Sequence, residues 1–149
     1  MEETRWSVRV TAPPQGPTRA YARAHSFEGG APLSFDVEHP QVTALEYLLG
    51  AVGLEIAGGV RLIGRKRRVS IDDVEVLVHG RLGNPLVFLR VVGEEGDPAL
   101  EAIEVKAYIS SLADDEQVAA VWNEVLAICP VVTTLRKAAA LHLSYQQVL

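Results

Sequence analysis

The chain of 149 residues is 48% hydrophobic and 22% charged, the balance of one soluble globular domain with a core of its own rather than of a disordered segment. Its 14 Lys and Arg against 19 Asp and Glu leave a net charge of −5, which argues against a dedicated nucleic-acid binder. The single cysteine, Cys129, excludes an intramolecular disulfide and any cysteine-cage zinc or iron–sulfur site within one chain.

The start, Met1-Glu2-Glu3-Thr4, is acidic with no apolar core behind it; no signal peptide is read there, and a cytoplasmic location is expected. Residues 4–12 alternate, Trp6, Val8 and Val10 against Arg5, Ser7 and Arg9, which predicts a half-buried strand. Pro13-Pro14-Gln15-Gly16-Pro17 is a turn, because proline fixes φ and lacks the ladder donor. A second strand is expected from about Arg19 to Phe27 and, after Gly29-Gly30, a third across Leu33 to Val37, giving an antiparallel meander.

Thr43 with Glu46 three residues on forms a capping box that opens a helix. From Ala44 to Ile63 this helix is apolar nearly all round, so enclosure by other elements is expected. A membrane span is disfavoured: Tyr47 to Ile63 is short for one and holds Glu55, Arg61 and four glycines. Gly50, Gly53, Ala57 and Gly58 leave room for a neighbouring backbone. Arg65-Lys66-Arg67-Arg68 reads as a cationic helix end meeting solvent rather than as a nucleic-acid or lipid patch.

Alternation over residues 70–82 and again through Ile103, Val105, Ala107 and Ile109 gives two further strands, with turns on either side of the apolar run Leu86 to Val92. Asp114 to Ile128 is an amphipathic helix, a short helix follows Cys129-Pro130 to about Lys137, and Leu141 to Tyr145 closes as a strand. Strands, helix, strands, helices make the fold α+β.

The chemistry concentrates at Cys129-Pro130-Val131-Val132-Thr133-Thr134-Leu135. Proline favours the first helical position, which puts Cys129 at the N-cap, where free amides stabilise a thiolate. Against this stands the plainer reading of a lone cysteine as a small buried hydrophobe. The four histidines, His25, His39, His79 and His142, share no ligand spacing, so no metal is expected, and no nucleotide, phosphate or nucleophile-elbow motif is present.

Two segments carry a resemblance over roughly residues 30–149. Thr43-Ala44-Leu45-Glu46-Tyr47-Leu48-Leu49-Gly50-Ala51-Val52-Gly53 resembles the Ser-Pro-Leu-Glu-Leu-Leu-Leu-Ala-Ala-Leu-Gly run of the OsmC/Ohr family, and Cys129-Pro130-Val131 resembles its second cysteine motif. The resemblance implies an OsmC-like fold forming one domain over 1–149, an intertwined homodimer with two long central helices packed inside sheet from both chains, and no cofactor. It also implies organic hydroperoxide reduction. A peroxidatic thiolate on the long helix attacks the O–O bond, the alcohol leaves, and the Cys-Pro-Val thiol resolves the sulfenic acid as a disulfide. An arginine and a glutamate organise the first thiolate.

This chain departs from that pattern. Eleven residues after Ala44, which stands where the family has proline, the peroxidatic position falls on Glu55, and the family glutamate falls on Leu45. Arg19 is the best match to the family arginine, although a solvated arginine at a strand start explains it equally. Glu55 is open to three roles: acid or base, ligand contact, or partner of an arginine across the dimer, the last being favoured. Glu46, nine residues earlier, lies on the opposite helix face and is not its acid/base partner. A carboxylate near Cys129 opposes ionisation of the thiol. The residues therefore support, first, a divergent member that binds a small apolar or electrophilic molecule in a cleft at the dimer interface. The alternative is a one-cysteine hydroperoxide reductase using Cys129 and an external thiol.

Overall fold

The structure, a computed structural model, describes residues 4–149. Met1, Glu2 and Glu3, on which the reading of the leader rests, lie outside the described residues. The chain divides into two compact units, Met1–Leu48 and Leu49–Leu149.

The first unit is a meander of β1 (Arg9–Thr11), β2 (Thr18–Ala22) and β3 (His25–Gly29), paired antiparallel in that order. The single long strand expected from Arg19 to Phe27 is two strands, joined by Arg23 and Ala24 with Ala22 facing His25. Arg23 supplies the reversal by taking φ +55, the left-handed backbone that a tight hairpin needs and that glycine usually provides. The strand expected at Leu33 to Val37 is absent. The Ser34 hydroxyl and the Asp36 carboxylate accept from the amides of Asp36 and Glu38, at 3.1 and 2.9 Å, and these local bonds compete with strand pairing. The half-buried strand expected over residues 4–12 is reduced to β1, Arg9–Thr11, and Trp6, Val8 and Val10, expected on its buried face, are all exposed.

The helix α1 (Ala44–Arg67) starts where the capping box predicts. The Thr43 hydroxyl accepts from Glu46 N at 3.2 Å, and Glu46 Oε2 accepts from Thr43 N at 2.7 Å. Those bonds from Thr43 hold the Glu46 carboxyl below the usual carboxylate range.

The second unit contains the rest of α1, then β4 (Asp73–Leu82), the short α2 (Pro85–Phe88), β5 (Leu100–Ser110), α3 (Asp115–Ile128), α4 (Pro130–Leu135) and β6 (Ala140–Val148). In its sheet β5 lies between β4, antiparallel to it, and β6, parallel to it; the α3–α4 segment is the crossover that a parallel pair requires. Strand alternation sends Ile103, Val105, Ala107 and Ile109 inward, where they meet Val52, Ile56, Val60 and Ile63 of α1 and Val118, Val121, Trp122 and Val125 of α3 in one buried cluster.

Enclosure of α1 all round is not observed. By length and composition it is apolar enough to cross a membrane, yet only 28% of its most apolar window is buried. A single sheet and helix can cover one face of a cylinder, and Leu54 and Leu62 on the other face remain exposed. Ile103 is fully buried at the centre of the cluster. Ile103→Ala is expected to cost about 2–5 kcal/mol of unfolding free energy, read as a lower midpoint in urea with an unchanged slope.

Candidate functional site

Proline has no N–H and cannot continue α3, so the chain breaks at Cys129, which ends α3 and begins α4 with extended backbone, φ −71 and ψ 115. Cys129 N donates to Val125 O at 3.1 Å, and Cys129 O accepts from Thr133 N at 2.9 Å. The Thr133 hydroxyl adds a bond to the same carbonyl at 3.0 Å. The residue is thus held from both sides, and its side chain is buried, with 5% exposure.

Close approach of α1 makes this burial possible. A Cβ at Gly59 would stand 2.8 Å from Val125 Cγ1 and 3.3 Å from Cys129 Sγ, so only glycine fits without a shift of the packed valine. Gly50 and Gly58, also read from the sequence as clearance, have nothing within 4 Å of a built Cβ.

One turn before Gly59, Glu55 reaches the start of α4. Its Oε2 accepts from Val131 N at 2.8 Å and from Val132 N at 3.1 Å. These are the second and third helical amides, the pair that a side chain at the N-cap would ordinarily accept from. The Cys129 side chain makes no cap hydrogen bond. Its thiol instead has the main-chain carbonyl of Glu55 at 3.8 Å. Glu55 therefore caps α4 from another element. Within the chain, two backbone donors satisfy this half-buried carboxylate without a second charge.

The electrostatics follow from this occupation. Burial, and then the Glu55 charge, push the Cys129 thiol up to about 11. At pH 7 about one thiol in ten thousand is ionised at such a value. The helix-start amides that would offset the cost of a thiolate are already engaged.

Of the three candidate residues, the structure brings Glu55 and Cys129 together. Arg19 belongs to the first unit, on β2, where its guanidinium is bonded and ion-paired to Glu28. The residues that sequence reasoning missed are Val131 and Val132, which contribute only their main-chain N–H groups. The signal available was Pro130 at the first helical position, which leaves the next two amides free.

The sequence model of the OsmC-like protein family matches residues 38–144, and the chain belongs to that family. Among solved structures, the chain is similar to an OsmC-like protein from Mycoplasma pneumoniae at 16% identity and TM-score 0.80, covering all of both chains. It is also similar to an organic hydroperoxide resistance protein from Elizabethkingia anophelis at 14% identity and TM-score 0.72, covering 99% of this chain and 100% of that one. A third, an organic hydroperoxide resistance protein from Legionella pneumophila, matches at 12% identity and TM-score 0.68, covering 96% and 97%. No curated protein matches the sequence. At these identities the likeness establishes the fold, which is α+β and OsmC-like.

The site makes a direct prediction for thiol reactivity. The rate of Cys129 alkylation against pH is expected to rise with a midpoint near 11, well above the value of about 8.5 for a free thiol. Glu55→Gln keeps an acceptor for the two amides and removes the charge, so the midpoint falls, yet stays above the free value because burial remains. A midpoint at 8.5 in the unaltered chain contradicts this electrostatic picture.

Proposed function

We propose that this protein is an OsmC-like member whose thiol-peroxidase site is degenerate, and that it acts by binding a small apolar or electrophilic molecule in a cleft at a homodimer interface. The observation that carries the first part is the acceptance of the Val131 and Val132 amides by Glu55 Oε2. Peroxide reduction needs a thiolate to attack one peroxide oxygen, so that the S–O bond forms as the O–O bond breaks and an alcohol leaves. At the family's attacking position stands a carboxylate already committed to capping a helix. The only thiol in the chain is buried, protonated at neutral pH and deprived of the donors that would ionise it.

Assembly as a homodimer is supported by the apolar side chains that the chain leaves uncovered in its second unit, with Leu54 78% and Leu62 51% exposed on a helix otherwise committed to the core. Sedimentation of the purified protein is expected to give a dimer, with Leu54→Glu shifting it to monomer. A wild-type monomer at micromolar concentration rejects this assembly.

The alternative, a reductase using Cys129 and an external thiol, rests on the position of Cys129 at a helix start and on the likeness to the two organic hydroperoxide resistance proteins above. Mixing the protein with an organic hydroperoxide and a dithiol reductant separates the two readings. Peroxide is expected to persist at the buffer rate, and the mass of Cys129 to stay unchanged under excess oxidant. Turnover that Cys129→Ser abolishes establishes the reductase instead.

A further inference from the structure

On the sheet of the second unit, alternation leaves one face of β4, β5 and β6 away from the buried cluster. In the observed register His79 of β4 is the direct partner of Glu104 of β5, and Glu104 is the direct partner of His142 of β6. The three therefore form one row across adjacent strands, imidazole, carboxylate, imidazole, all exposed. Their flanking residues on the other face, Val78, Val105 and Leu143, pack into or against the core, so the row cannot slip without moving the core. The row lines an open cavity of about 620 Å³. We propose that it is a binding site for a first-row divalent metal ion of the zinc class, with His79, Glu104 and His142 as its ligands.

The donor set is that of metal sites with two histidines and one carboxylate, which leave further positions open to water or to another molecule's donor. The spacing is compatible. Neighbouring strands are about 4.8 Å apart, which places an ion above Glu104 within reach of an imidazole on either side through a bond of about 2.0–2.1 Å. As the side chains stand, no group of three such donors among the described residues is gathered closely enough to hold an ion. The two imidazoles have to turn inward, and both are exposed. Among the described residues none of the three side chains has a hydrogen bond or ion pair. The nearest cation along β5, Lys106, leans the other way, its Nζ 5.1 Å from the centre of the Tyr108 ring. Sequence spacing hides the set, because the three residues come from three separate strands.

This inference is independent of the thiol site, and its test does not involve the thiol. The full chain, freed of metal with a chelator and dialysed, is titrated with Zn²⁺ at neutral pH by calorimetry. One saturable ion per chain is expected. His79→Ala, Glu104→Ala and His142→Ala, each confirmed as folded by circular dichroism, weaken binding about tenfold or more, while His25→Ala leaves it unchanged. Cobalt(II), used as a spectroscopic substitute, gives visible absorption that His142→Ala removes. Absence of saturable binding, or unchanged affinity in any one of the three alanine variants, overturns the assignment.

Discussion

One carboxylate holding two main-chain amides organises the second unit around Cys129. Glu55 projects from α1 and Val131 and Val132 begin α4, so a single side chain ties the long helix to the end of the crossover between β5 and β6. A hydrogen bond to a charged acceptor is stronger than one between neutral groups, and here two converge on one oxygen. The same carboxylate adds to burial in keeping the neighbouring thiol protonated, so structural cohesion and part of the electrostatic penalty on the thiolate come from one side chain.

This arrangement gives a physical meaning to the replacement at position 55. A carboxylate and a thiolate are both anions with an appetite for free amides at a helix start. Only the sulfur is a competent nucleophile towards a peroxide. Under the function proposed above, a chain that carries the carboxylate keeps a cap on α4 and gives up the attack. Gly59, one turn further along the same helix, belongs to the same design, because its missing side chain is what lets α1 approach Val125 and Cys129.

Much of the fold is legible in the sequence where one signal dominates. The Thr43–Glu46 box, the alternation through Ile103 to Ile109 and the Cys129-Pro130 break each depend on neighbours a few residues away, and each reappears in the structure. The errors lie where local chemistry overrides pattern. Leu33, Phe35 and Val37 alternate as a strand would, yet Ser34 and Asp36 take up the amides in turns. Arg23 reverses the chain without glycine or asparagine to announce it. In the site, the proximity of Glu55 to Cys129 follows from counting along a family pattern, whereas the identity of its partners does not. Backbone donors carry no residue-type signature, so nothing in the sequence points to the amides of Val131 and Val132. The row of His79, Glu104 and His142 is hidden for a related reason, since register across three strands is a property of the folded sheet alone.

The position of Cys129 between two helices has a kinetic consequence. Its amide closes α3 and its carbonyl opens α4, so a loosening of that joint frees the ends of both helices together and uncovers a sulfur that is buried while the joint is closed. A rare local opening of this kind is what hydrogen exchange detects. The rate at which the Cys129 amide exchanges thus becomes a clock for the looseness of the crossover.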